Sequence, residues 1–328
     1  MEPARQIDLD EIFSYKNEDY AVRLAGHSYY GERKFQVGWA NIACSKLTER
    51  ANPKITGGKF TKDSIPEIKR SISNAVWFGN STLIFDKVKG QTRVSNPRTS
   101  WAKEDIWGNS EYFEELGGGN SIVGIDGNLW MVYENGEQVD LNCSYFSIFF
   151  HADEDHPSGQ SRISPSARVL INMKSSNMLR RELTADQGSF PPTFLNGLWD
   201  DVDEALGENV KRVLTGTNRI AGLPANPDTG EKLSIEQLDQ VSPDPLLRHD
   251  SQIARDYAAL MNITSNELGE ATSNPPSAES MAVQKEGLIL EVKEWIENIR
   301  RPILGYLVEV ADFWEEKVPV LSFADPAV

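Results

Sequence analysis

Six consecutive residues, His151-Ala152-Asp153-Glu154-Asp155-His156, place two imidazoles and three carboxylates in one short stretch. Groups of these types bind divalent metals, and a bound metal can activate water for hydrolysis. Metal sites space their ligands along a helix or across strands, whereas these follow one another. The stretch therefore reads as a solvated acidic turn after a strand, with a metal-dependent hydrolase as the alternative. Asp200, Asp201, Asp203 and Glu204 form a second acidic cluster, without the central Gly and terminal Glu of a calcium loop. Gly117-Gly118-Gly119-Asn120 resembles a phosphate-cradling loop, but no Lys-Ser or Lys-Thr follows it and strands rather than a helix come next. The four histidines, His27, His151, His156 and His249, stand in no nucleophile or zincin pattern. No catalytic residue, metal site or cofactor is assigned.

The elements that would position these groups divide the chain in two. Its 328 residues, 39% of them hydrophobic, suffice for two or more modules. A formal charge of −16 argues against a protein that grips nucleic acid by neutralising phosphates. Two cysteines, Cys44 and Cys143, make no disulfide framework, which fits a reducing compartment. The N-terminus lacks the apolar stretch of a signal peptide, and no window reaches membrane-spanning length.

The first region mixes helix and strand. Residues 65–75 read as a helix entering an apolar strand at 81–88, with a Lys89-Gly90 turn and a return through 92–94. Strands at 121–125, 129–133 and 138–141 are separated by Asp126-Gly127 and Asn135-Gly136, dipeptides that supply the positive φ of tight hairpins. Another strand, 145–150, leads into the acidic turn. Ser164 then reads as an N-cap and Pro165 as a first helical residue, opening a helix to about 183. Residues 184–250, broken by Pro191-Pro192, Gly222, Pro224, Pro227, Gly230 and Pro243, read as a small inserted module. A short helix at 251–261 and a loop at 263–276 lead to a long helix from Ser277. Its apolar face runs Met281, Leu288, Val292, Trp295, Ile296, Ile299, Ile303, Leu307, Val310 and Phe313. Pro302 is expected to kink it, over a total length on the order of 55 Å. Trp295 and Trp314 read as packing anchors.

Leu268-Gly269 followed by Ser273-Asn274-Pro275-Pro276-Ser277-Ala278-Glu279-Ser280 resembles the Leu-Gly…Ser-Asn-Pro-x-Ser-Ala-Glu signature of tailed-bacteriophage portal proteins, the head-to-tail connectors. Ser161-Arg162-Ile163-Ser164 resembles that family's entry into its stem. Arg212-Val213-Leu214, Asp228-Thr229-Gly230-Glu231 and Gln237-Leu238 resemble the return from its clip, in the same chain order. The likeness covers 161–314, with a looser match at 74–84. It implies an α+β portal fold: a β-rich wing at 1–163, a two-helix stem at 164–183 and 251–262, an inserted clip at 184–250, a tunnel loop at 263–276, and at 277–328 the long kinked C-terminal wing and crown helix with a short tail. Since the chain stops soon after that helix, a crown is expected to be small or absent.

The resemblance further implies a dodecameric ring at the capsid vertex of the virion, assembled in the host cytoplasm. It would pass double-stranded DNA during packaging and ejection and dock the terminase large subunit, a head-tail adaptor and the major capsid protein, with no membrane and no enzymatic activity. Another phage structural protein, adaptor or capsid, is the further alternative. Thr264, Ser265, Asn266, Glu267, Gly269, Glu270, Thr272, Ser273 and Asn274 would line the channel. Asp200, Asp201, Asp203, Glu204, Lys211 and Arg212 would meet clip partners. Arg180, Arg181 and, further on, Lys211 and Arg212 are the basic spots nearest the clip, read as pairing with acid on the next subunit, with an approach to DNA phosphates as the alternative. The sequence adds its own support: from Asp256 to Gln284 there is no Lys or Arg. Like-charge repulsion along a wall lets a duplex slide where cations would hold it, and Gly269 would let the loop move.

Overall fold

The computed structural model of the chain describes residues 3–17, 21–22, 33–34, 37–58, 61–104, 109–125, 127–189, 193–196, 228–230, 234–237, 242–270 and 278–326. The chain forms two compact units, one of residues 1–23, 27–175 and 252–328, the other of residues 24–26 and 176–251.

In the first unit, helices α1 (Pro3–Lys16), α2 (Trp39–Arg50) and α3 (Thr61–Phe78) precede the main sheet. Short strands β1 (Ala21–Val22) and β2 (Arg33–Lys34) pair with each other, and β3 (Pro53–Thr56) lies between α2 and α3. The main strands are β4 (Asn80–Asp86), β5 (Gln91–Val94), β6 (Ser100–Glu104), β7 (Ser110–Gly117), β8 (Asn120–Ile125), β9 (Asn128–Val132) and β10 (Gln138–Phe149). They form a seven-stranded antiparallel sheet in the order β5-β4-β10-β9-β8-β7-β6.

Leu83, Phe85, Ile148 and Phe150 face a large core shared with the helices, while Ile84 and Tyr145 face a smaller core with Ala102, Tyr112, Ile122 and Leu129. Successive side chains of a strand point to opposite sides, so a strand between two cores is apolar throughout. That is why Leu83, Ile84 and Phe85 follow one another without polar alternation in the sequence. Gly117, Gly118 and Gly119 all have positive φ, at 83°, 62° and 75°, and make the β7–β8 turn rather than a phosphate cradle. The segments 138–141 and 145–150, read above as two strands, are one strand with a register shift between Asp140 and Ser144.

Helix α4 (Pro165–Ser189) opens as expected, with Ser164 Oγ accepting from Ala167 N–H at 3.3 Å, and runs six residues past the expected end at 183. Helix α5 (Asp244–Leu260) starts seven residues before the expected 251. Pro245 sits in its first turn, where proline's missing N–H costs nothing, so a residue class that reads as a breaker here opens the helix. Helix α6 (Ala278–Phe313) spans 36 residues and continues through Pro302, where one ladder donor is missing. Leu288, Val292, Trp295, Ile296, Ile299, Ile303, Leu307 and Val310 are buried along one face, whereas Phe313 and Trp314 are each 36% exposed. Burial of each large side chain on that face contributes roughly 1.5–3 kcal/mol. The short tail expected after this helix instead returns as β13 (Val320–Phe323), paired antiparallel with β3.

In the second unit, β11 (Thr193–Asn196) pairs antiparallel with β12 (Ser234–Gln237). Asn177, on α4, donates to Asp250 at 3.1 Å, and Arg181 pairs with the same carboxylate at 3.0 Å. Arg181 is thus an ion-pairing group, as read, although its partner lies in its own chain. Among the described residues, no helix is long and apolar enough to cross a membrane.

The strand end at Phe150 is locked where two glycines meet. Phe150 N–H donates to Gly79 O at 2.8 Å and Gln160 N–H to Phe150 O at 2.7 Å. A Cβ on Gly159, whose φ is +72°, would stand 2.1 Å from Gly79 O. Both the backbone conformation and the space there require glycine. Gly159→Ala is expected to destabilise the first unit by about 3 kcal/mol or more, read as a lowered urea midpoint, whereas Gly136→Ala, in an open turn, is expected to shift it far less.

Candidate functional site

The loop that joins α5 to α6 is the candidate site, and its first half is described to Glu270. It begins at Asn262, which takes a positive φ of 52°. Ile263, Thr264 and Leu268 are buried, with Ile263 and Leu268 in the large core. Residues Ser265–Leu268 make a single 3-10 turn closed by a capping box between Thr264 and Glu267. The Glu267 carboxylate accepts from Thr264 N–H at 3.0 Å. Gly269 caps the turn with φ 83°.

A buried arginine holds this loop from behind. Arg162, 6% exposed, lies on the connection between β10 and α4. Its guanidinium donates to Ala43 O on α2, to Met261 O at 2.8 Å, and to the Glu291 carboxylate on α6 at 3.0 Å. Asn262 Nδ2 donates to the same carboxylate at 3.3 Å. His151 Nε2 stands 3.8 Å from its other oxygen. Arginine presents donors in a rigid planar fork, which explains how one side chain links α2 and the end of α5 to the middle of α6. Gly287 leaves room for the loop, since a Cβ there would meet Asn262 Oδ1 at 2.7 Å.

Expectation and structure differ here on charge. The segment itself has no cation, yet α2 supplies one: Lys46 Nζ lies 3.4 Å from Glu267 Oε1. Glu267 therefore faces the protein and does not line a free surface. Asn266 and Gly269 are exposed, while Ser265 and Glu270 are partly so. The mobility expected from Gly269 is not what this half displays, because the capping box and the buried apolar residues anchor it. Thr272, Ser273 and Asn274 lie outside the described residues, as do Asp200, Asp201, Asp203, Glu204, Lys211 and Arg212.

The acidic turn at 151–156 is organised without a metal. Asp153 Oδ1 accepts from His156 N–H at 2.6 Å and lies 3.0 Å from His156 Nδ1, while His151 turns toward Glu291. No group of His, Cys, Asp and Glu suited to a metal occurs among the described residues. Cys44 is buried, and burial pushes its thiol up to about 12, which leaves it without a reactive thiolate.

Sequence reasoning missed Glu291 and Lys46, and it named Arg162 only within the stem-entry motif, without its partners. Those partners lie far along the chain, and no local pattern marks them.

Burial pushes the Glu291 carboxyl up, but His151, the Arg162 charge and the Asn262 amide together outweigh it and hold it below the ordinary value of 4.5. Burial likewise opposes ionisation of Glu267, and the Thr264 N–H and Lys46 overcome it, so its carboxyl too lies below 4.5. Depressed carboxyls add stability that is complete above the unfolded value and lost as pH falls through the folded one. The urea midpoint is therefore expected to drop below about pH 4.5, with a shallower drop in Glu291→Gln. Arg162→Met is expected to cost about 3–5 kcal/mol at pH 7, because Glu291 is left charged without its main partner. An unchanged midpoint in Arg162→Met would remove the arginine from this role.

No protein-family model matches the chain, and no curated protein matches it. Among solved structures, a chain from the neck of a native GTA particle, computed with C12 symmetry, aligns over 95% of this chain and 88% of its own, with 11% identity and a TM-score of 0.53. An HK97 family phage portal protein from Corynebacterium diphtheriae aligns over 89% of this chain and 94% of its own, with 14% identity and a TM-score of 0.42. The likeness to the neck chain shows a shared fold over 95% of this chain.

Proposed function

We propose that the chain is the portal subunit of a phage or phage-like particle, a passive ring through which double-stranded DNA enters and leaves the head. The observation that carries this reading is the likeness to a neck chain solved with C12 symmetry, which extends over 95% of the chain. In this reading twelve copies close through a heterologous contact, in which two different patches of each subunit meet. The wing is residues 1–163, the stem pairs the helices at 164–183 and 251–262, and the clip is 184–250. The long helix from 277 leads toward the crown. The clip, with Asp200, Asp201, Asp203, Glu204, Lys211 and Arg212, docks the terminase large subunit and later a head-tail adaptor. The wing meets the major capsid protein. The complex belongs to the portal vertex of the virion and assembles in the host cytoplasm.

The tunnel loop, 263–276, faces the duplex. Its described half suits a sliding wall: Lys46, which α2 brings to the turn, is engaged by Glu267, while Asn266 and Gly269 are exposed and Glu270 partly so. A wall with no available cation makes no salt-dependent grip on phosphate. The anchored turn fixes where the loop starts, and Thr272, Ser273 and Asn274 complete the lining in this proposal. In the His151–His156 turn, His156 pairs with Asp153 and His151 lies 3.8 Å from Glu291, and no metal-ligand group forms there among the described residues.

Native mass measurement and electron microscopy of the purified chain test the ring. A closed oligomer with a central hole is expected; a monomer at micromolar concentration, or a closed shell, counts against the proposal. The wall is tested separately. The double variant Asn266→Lys, Glu270→Lys is expected to bind duplex DNA at least tenfold more tightly than the parent ring at low salt, with the gain lost as salt rises. Equal binding by both rings would place the loop away from the duplex.

A further inference from the structure

The main sheet has two sides of unlike character. Ala102, Tyr112, Ile122 and Leu129 point into the smaller core and are buried. On the opposite side, register places Trp101 across from Phe113, Phe113 across from Val123, Val123 across from Trp130, and Trp130 across from Asp140. These four apolar residues form one continuous row over β6, β7, β8 and β9, each partly exposed. Trp101 and Phe113 stack at 5.8 Å with 29° between their planes. None of the four belongs to either core or packs against one. Helices α3 and α6 lie on β4 and β10, and no helix makes an extensive contact with β6 to β9 among the described residues.

Cross-strand aromatic pairs stabilise a sheet by themselves, by about 0.2–1 kcal/mol each. That accounts for Trp101 with Phe113. It does not account for Trp130, which stands one strand further on beside a valine and has a large ring to hide. A row of large, partly exposed apolar groups on strands that no helix extensively contacts among the described residues marks an interaction surface. Its charges state what fits. At one flank Lys103 and Glu111 pair at 2.9 Å and satisfy each other. Glu115 and Asp140 are exposed acids beside and at the end of the row.

We propose that this face docks a segment of another protein that carries arginine between apolar side chains. A guanidinium stacks on an indole or phenyl face and reaches a neighbouring carboxylate in the same pose. The apolar side chains between the arginines cover Phe113 and Val123. Nucleic acid does not fit, since Glu115 and Asp140 repel phosphate. The inference is independent of the ring: it concerns β6 to β10 alone.

The test uses the full-length chain and two labelled synthetic peptides, one alternating arginine with leucine and one with glutamate in place of arginine. The arginine peptide is expected to bind, the glutamate peptide not to bind, and Trp130→Ala and Asp140→Lys each to weaken binding at least tenfold. Asp140 accepts from Asn142 N–H at 2.8 Å, so Asp140→Asn, which keeps that acceptor and removes the charge, is run beside Asp140→Lys and is expected to keep the parent's melting temperature while also weakening binding, which guards against loss by unfolding. Equal binding of the arginine peptide to parent and variants would reduce the effect to general attraction by an acidic chain and overturn the proposal. So would an absence of binding. A change in oligomer mass in Asp140→Lys would also overturn it, by assigning the face to a contact between copies.

Discussion

A guanidinium buried at 6% exposure must find acceptors within the protein, and Arg162 finds them on three separate elements. Two are backbone carbonyls, Ala43 within α2 and Met261 just past the end of α5; the third is the Glu291 carboxylate in mid-helix. A charged hydrogen bond left unmade in the interior costs far more than a made one contributes. The arginine therefore fixes relative positions more than it adds net stability. If α5 ended a residue later, or α6 were rotated by one position, a carbonyl or the carboxylate would lose its partner. The loop between those helices inherits this constraint at its first residue, because Asn262 shares Glu291.

The same geometry explains how far the sequence could be read. Local signals carried well: Ser164 and Pro165 opened α4, Gly136 turned a hairpin, and the spacing of Leu288, Val292, Trp295 and Ile299 described the buried face of α6. Each depends on residues within a turn or two of one another. Reading failed where the decisive partner was distant. Glu267 looked like an acid offered to solvent, but Lys46, more than two hundred positions earlier, turns it inward. Pro243 looked like a break within the inserted module, yet a helix opens right after it at Asp244, with Pro245 in its first turn, where a proline is no break at all. The tail after Phe313 carried no strand signal strong enough to foresee its pairing with β3, because a two-stranded contact is specified by its partner.

Charge is also distributed more unevenly than a total of −16 conveys. Several acids are consumed internally: Glu291 by Arg162, Glu309 by Lys87 at 2.9 Å, Glu114 by Arg93 at 3.0 Å, and Asp250 by Arg181. These pairs join different elements, and each sets a cation against an anion, although of the four cations only Arg162 is itself buried. What the surface then presents to a polyanion is poorer in available cations than a count of Lys and Arg suggests.

This bears on how a channel wall can work. A wall made smooth by deleting every cation from its sequence neighbourhood would still fail if another element brought one alongside. Here α2 does bring one, and the capping carboxylate of the turn engages it at 3.4 Å. Glu267 thus serves two ends with one side chain: it closes the turn that gives the loop a fixed start, and it keeps Lys46 from standing free beside it. The depressed carboxyl is the sign of that double engagement. In the proposed ring the repetition of this turn would make any uncompensated lysine a collar of charge, so the pair matters more in the assembly than its strength in one subunit suggests.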